Sequence, residues 1–179
     1  MLEAAGVAHE AEPAGIDEGA IKARVADPET RAVELAQVKA AAVSKQRLDD
    51  WVIGSDSVVA IDGTTFAKPA DRDQAARHLR LFSGKAMRLT SAVALARGGA
   101  VDWSHCDSAT LQVRELSDSF IETYLEREWP EVSYCVGVFR IEGPGVQLFS
   151  GIEGDYFTVL GMPLIPLLGA LRERGIIET

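Results

Sequence analysis

The chain reads as α/β, a single domain over residues 1–179 with a twisted mixed β-sheet flanked by helices. Three observations predict it. Strand and helix periodicities alternate through the first half. A long strand pair is centred on Gly98-Gly99. No repeat, low-complexity tract or linker interrupts the 179 residues, a length that can bury a sizeable core in one piece.

In chain order, Met1–Ala5 reads as the tail of a helix closed by Gly6, Val7–Ala11 as a short strand, and Pro13–Glu18 as an acidic loop. Asp27 is the N-cap of a helix with Pro28 at its first position. Val33, Leu35, Ala36, Ala40 and Val43 give that helix its apolar positions, and Leu48-Asp49-Asp50 closes it. Trp51-Val52-Ile53 is a strand. Gly54-Ser55 reads as a break, after which Val58, Val59 and Ile61 resume the strand pattern up to an Asp62-Gly63 hairpin turn. Asp71 caps a helix running to Phe82 and ended by Ser83-Gly84; Met87–Ala96 and Ala100–Val113 form the antiparallel pair. Ser117-Asp118 opens a helix that buries Phe120, Ile121, Tyr124 and Leu125 and stops at Trp129-Pro130. Two apolar runs then flank a Gly143-Pro144-Gly145 turn, with Arg140 and Glu142 together near its mouth. Val146–Phe149 reads as a strand, and Pro163 starts a last helix to about Glu173.

Composition narrows the function classes. Hydrophobic residues make up 47% and the net charge is −9, which argues against nonspecific nucleic-acid binding and against docking to anionic membranes. A nucleotide substrate stays open, because a few lysines with a metal ion can hold a triphosphate on an acidic protein. Cys106 and Cys135 are too few for a disulfide framework and read as buried free thiols of a reducing, cytoplasmic compartment. No signal peptide or run of membrane-spanning length appears. His105 has no partner in the pattern and reads as structural.

The chemistry concentrates between Trp51 and Asp71. Asp56 follows one strand and Lys68 ends the hairpin's return segment. A carboxylate able to hold a divalent ion or orient a water, beside a lysine able to neutralise phosphate charge, is a minimal pair for phosphate chemistry. Without further context, Asp56 and Lys68 read equally well as solvated charges, and the helical Lys39 and the loop residues Asp17 and Glu18 read as solvated charges first.

Taken in order, Ala36-Gln37-Val38-Lys39-Ala40, Ile53-Gly54-Ser55-Asp56, Lys68-Pro69-x-Asp71, Leu81-Phe82-Ser83-Gly84 and Gly161-Met162-Pro163-Leu164 resemble the Maf family of nucleotide pyrophosphatases. The resemblance implies a Maf/ITPase-like fold with two lobes around a cleft. It also implies hydrolysis of nucleoside triphosphates to monophosphate and pyrophosphate with a divalent cation, Mg or Mn. The family's functional positions fall on Glu18, Lys39, Asp56 and Lys68: Asp56 with Glu18 as metal ligands and water-activating groups, Lys39 and Lys68 offsetting phosphoryl charge. Ser55, Arg140 and Glu142 are the expected substrate contacts. The run Cys135-Val136-Gly137-Val138-Phe139-Arg140-x-Glu142-Gly143-x-Gly145 is similar to the branch acting on 7-methyl-GTP, with Glu142 where the dTTP/UTP branch has glutamine. A carboxylate can accept from both N1–H and the 2-amino group of guanine. Trp129 or Phe139 is a candidate to stack on the base, with burial in the core as the alternative for both.

Some features depart from the family. Val38 replaces the usual acid before the helical lysine, and Gly154-Asp155-Tyr156 is more like the pyrimidine branch. Met1–Gly6 resembles only the end of the helix that follows the family's Ser-x-Ser-x-Arg-Arg phosphate loop, for which this sequence shows no counterpart. The alternatives are therefore a dTTP/UTP pyrophosphatase or a weakly catalytic, nucleotide-binding regulator of cell division. A homodimer is expected by family analogy.

Overall fold

The computed structural model describes residues 1–178. Its helices are α1 (Glu18–Arg24), α2 (Pro28–Ser44), α3 (Arg72–Phe82), α4 (Asp118–Glu128), α5 (Tyr156–Val159) and α6 (Leu164–Glu173). Its strands are β1 (Val52–Ile61), β2 (Thr64–Phe66), β3 (Ala86–Arg97), β4 (Ala100–Val113) and β5 (Phe149–Glu153), forming one sheet in the order β2-β1-β3-β4-β5.

Caps and turns fall where local chemistry puts them. Asp27 accepts from Thr30 N, Asp71 from Gln74 N and Ser117 from Phe120 N, each satisfying an orphan donor of a first helical turn. Asp62 and Gly63 both take positive φ, 50° and 76°, the two-residue turn whose twist suits a hairpin. Val59, Ala60 and Ile61 then pair antiparallel with Phe66, Thr65 and Thr64.

The sheet is antiparallel, where alternating strand and helix patterns predicted a mixed one. Ser57 lies against Ser91 and Asp62 against Lys85, so β1 and β3 run in opposite senses. A two-residue turn joins β3 to β4, and β4 pairs β5 antiparallel. The β2–α3–β3 crossover does connect strands of the same sense. β1 lies between them, so the crossover creates no parallel neighbours.

The chain divides into two compact units, each drawing on the three long strands. The first comprises Met1–Ser57, Thr90–Asp107 and Asp155–Thr179. Its core joins Val93 and Leu95 of β3 to Leu164, Leu167 and Leu171 of α6, with Trp51, Ile53 and Trp103 packed against them. Opposite residues of β1 face α2: a Cβ on Gly54 would lie 2.3 Å from Ala36 O and 2.6 Å from Ala40 N. Gly54 therefore lets a helix backbone sit on the strand, and β1 continues through the position that reads as a break. α1 docks on α2 through Ile21, Val25 and Leu35. The second unit comprises Val58–Leu89 and Ser108–Gly154. Leu79 and Phe82 of α3 and Ile121 and Leu125 of α4 are fully buried there, as are Val59, Met87, Leu111 and Leu148.

Three local expectations are corrected. Val7–Ala11 is not a strand. Val7 alone is buried, while residues 8 to 11 are exposed and His9 Nδ1 lies 3.0 Å from Val7 O. The end of the acidic loop is helical, because Asp17 caps Gly19 N and starts α1. Val146 and its neighbours lie in a 3-10 turn, Pro144–Leu148, and the strand begins at Phe149.

Candidate active site

α2 and β1 bring together residues 17 positions apart. Ala36 and Ala40 straddle Gly54, and Lys39, on the same helix face, reaches Asp56, on the same strand face as Gly54. Lys39 Nζ donates to Asp56 Oδ1 at 2.6 Å and lies 2.8 Å from Glu18 Oε1. Glu18, at the first turn of α1, receives Lys22 Nζ on its other oxygen at 2.5 Å, one helical turn on. The result is a chain of alternating charge, Lys22–Glu18–Lys39–Asp56, that becomes less exposed along its length. Side-chain exposure is 34% at Glu18, 22% at Lys39 and 13% at Asp56.

The two carboxyls are driven apart. Burial raises Asp56 above the usual carboxylate range, and its share of Lys39 does not offset that cost. At Glu18 burial also acts upward, but hydrogen bonds from Lys22 and Lys39 outweigh it and bring the carboxyl down to about 2. Burial opposes the charge of Lys39, yet its two carboxylate partners raise its pKa. Glu18 is thus held as an anion, and of the two carboxyls Asp56 takes up a proton the more readily.

Strand β1 is also held on its other face. Ser57 Oγ lies 2.8 Å from Ser91 Oγ and 3.2 Å from Gly161 O, while the buried Ser91 donates to Thr158 O at 2.8 Å. This ties the residue after Asp56 to the Gly161-Met162-Pro163 segment. Asp155 accepts from Phe157 N and Thr158 N, so it caps α5. Ser55 is exposed.

The remaining predicted site residues belong to the second unit. Lys68 is exposed at the end of the hairpin, ahead of the buried Pro69, and Glu142 is exposed in a turn. Burial raises the Cys135 thiol pKa, with Glu142 adding to the rise and Lys68 and Arg140 opposing it. Both cysteines are free and only partly buried. Arg140 does not pair with Glu142, as their proximity in sequence suggested. Its Nε and Nη2 donate to Glu128 Oε2 at 3.1 and 3.0 Å. Phe139 is buried edge-on against Phe149 and is a core residue. His105 stacks on Trp103. Sequence reasoning missed Lys22, Ser57, Ser91 and Glu128. Only Lys22 carried a signal, its i,i+4 spacing from Glu18 once α1 is recognised.

Among the described residues, no group of three or more His, Cys, Asp or Glu could form a metal cage. Glu18 and Asp56 nonetheless suit a magnesium-like ion, which is bound through one or two carboxylates with substrate phosphates and water completing the shell. No helix of the described residues is long and apolar enough to cross a membrane.

A half-buried lysine on α2, shared by two carboxylates, stands against the antiparallel sheet of an α/β protein. The chain belongs to the Maf family, whose model, described as Maf-like protein, matches residues 1–174. It is 47% identical to a 7-methyl-GTP pyrophosphatase of Rhizobium etli, over 99% of this chain and 92% of that relative. A protein of the same name from Rhizobium meliloti is 43% identical over the same shares. A nucleoside triphosphate pyrophosphatase of Granulibacter bethesdensis is 42% identical over 97% of this chain and 90% of its own.

Proposed function

We propose that this protein is a nucleoside triphosphate pyrophosphatase that prefers 7-methyl-GTP, cleaving the bond between the α and β phosphorus atoms. The observation that carries the reading is Lys39 Nζ held between Glu18 and Asp56 at 2.8 and 2.6 Å. Two carboxyls whose environments separate their proton affinities divide the labour of hydrolysis. Asp56, raised by burial, accepts the proton of the attacking water. Glu18, ionised throughout the physiological range, holds charge and orientation. A divalent ion bound by these two carboxylates and the substrate would supply Lewis-acid neutralisation of the phosphoryl oxygens. Lys39 lends its charge to the phosphoryl group, and Lys68 serves the departing pyrophosphate.

For the base, Glu142 accepts from guanine N1–H and the 2-amino group, and its negative charge favours the cationic 7-methylguanine ring over neutral bases. The names of the relatives support the same substrate. The experiment is pyrophosphate release from 7-methyl-GTP, GTP, ATP, dTTP and UTP with magnesium or manganese. The highest kcat/KM is expected for 7-methyl-GTP. A preference for dTTP and UTP would overturn the base assignment, and no pyrophosphate from any nucleotide would overturn the hydrolysis.

A further inference from the structure

The backbone is strained at one branched residue. Val138 is fully buried and takes φ +57°, a left-handed conformation that a β-branched side chain strongly disfavours. Such a residue persists only where its surroundings over-determine it. Here α4 supplies the restraint at two points. Tyr124, buried, donates its hydroxyl to Val138 O at 2.9 Å. One turn further along the same face, Glu128, with a side chain only 4% exposed, takes both donors of Arg140.

The run beyond these two grips folds back on itself. Gly143 N donates to Arg140 O at 3.2 Å, and a Cβ on Gly145 would meet Arg140 O at 2.5 Å and Arg140 N at 2.7 Å. Only glycine allows that crossing. Ile141 is buried and Glu142 exposed at the tip of the closed turn, two residues beyond the anchored Arg140. The Glu128 pairing has a second consequence. It takes the hydrogen-bond donors of the guanidinium that lies two residues from Glu142.

We propose that Tyr124 and Glu128 are specificity-determining positioning residues, which fix the Cys135–Gly145 run so that Glu142 meets the guanine edge. The inference rests on the base-reading role given to Glu142 above. Neither residue touches substrate; both act through the loop.

The test uses the full chain carrying Glu128→Gln, Tyr124→Phe or Glu142→Gln, with kcat and KM measured for 7-methyl-GTP and for UTP, and Tm for each variant. Glu128→Gln is expected to lower kcat/KM for 7-methyl-GTP by about 10-fold or more, mainly through KM, with UTP turnover unchanged. Tyr124→Phe, which removes one oxygen, is expected to act in the same direction by about 3-fold, and it decides the matter if Glu128→Gln does not fold. A parallel fall for both nucleotides would mean that α4 merely supports the fold, and the proposal is overturned. If Glu142→Gln collapses discrimination while the two α4 variants keep it, the positioning role fails and the base reading stands. If Glu142→Gln itself leaves discrimination intact, the base reading fails and this inference falls with it.

Discussion

Lys39→Met removes one charge from the centre of the ion-pair chain and keeps the aliphatic stem. At about 2.7 Å and an effective dielectric near 20, each Lys39–carboxylate contact is worth about 6 kcal/mol before desolvation. Most of that is cancelled by taking the groups out of water. Exposed pairs retain about 0.2–1 kcal/mol, whereas removing one partner of a buried pair costs about 3–5. Glu18, at 34% exposure, sits near the first limit and Asp56, at 13%, nearer the second. A net loss of about 2–3 kcal/mol at pH 7 follows, or a fall in Tm of about 4–12 °C for a chain of this size. The pH dependence adds a check. Glu18 is held at about 2 against 4.5 for the free carboxyl, so its stabilisation is complete above 4.5 and disappears as pH falls through 2. Asp56 has the opposite sign: its raised affinity means that the ionised form is disfavoured by folding and leans on Lys39. The gap between wild type and Lys39→Met, measured by urea unfolding, should be widest near neutrality and close between pH 4.5 and pH 2. A gap below about 0.5 kcal/mol at pH 7, or one undiminished at pH 2, would refute the bridging role.

Other perturbations read other parts of the molecule. Asp56→Asn keeps the shape of the site and removes its proton acceptor, so turnover of any cleaved nucleotide should fall by at least about 10²-fold with an unchanged circular dichroism spectrum. Near-normal turnover would remove Asp56 from the mechanism. Gly54→Ala forces a methyl against the backbone of α2, which cannot swing aside as a side chain does. A loss of about 3 kcal/mol is expected in thermal unfolding, and a loss within 0.5 would mean that the helix rides less closely than its contacts indicate. His78 is buried between Phe66 and Phe82 with Nδ1 unpartnered, and burial, then Arg77, lowers its pKa below 6.5. Below pH 6.5 the unfolded chain gains a proton that the folded one refuses, so stability falls with pH by up to about 1.4 kcal/mol per unit. His78→Phe should flatten that slope below pH 6.5, and an unaltered slope would place the titration elsewhere.

Much of the fold was legible because it is dictated locally. The caps at Asp27, Asp71 and Ser117 and the Asp62-Gly63 turn are short-range chemistry and stand where their residue types put them. What was not legible depends on partners distant in sequence. A strand–helix–strand pattern does not reveal that β1 lies between β2 and β3, which is why the sheet was expected to be mixed. α1 was hidden because Gly19 sits in its first turn, and its apolar face, Ile21 with Val25 beyond its end, is stabilised by Leu35 of the next helix. Arg140 was expected beside Glu142, its neighbour in sequence. The buried carboxylate of Glu128, 12 residues earlier, takes it instead.

Two pieces that look separate in the sequence are a single packing device. Ala36-Gln37-Val38-Lys39-Ala40 is unremarkable as a helix segment, and Ile53-Gly54-Ser55-Asp56 as a strand segment. Helical periodicity places Ala36, Lys39 and Ala40 on one face; strand periodicity places Gly54 and Asp56 on one face. The small residues at 36, 40 and 54 let the helix backbone approach within contact distance of the strand, and that approach lets Lys39 Nζ meet Asp56 at 2.6 Å. Val38, the residue before the helical lysine, packs against the α1–α2 contact instead of the charge chain. The lysine is thus shared by Glu18 and Asp56, with no carboxylate contributed by position 38. The glycine and alanines, which carry no chemistry of their own, are therefore as necessary to the ion-pair centre as its charged members. A substitution that lifts α2 from β1 should weaken both stability and turnover, whereas Asp56→Asn should weaken turnover far more than stability.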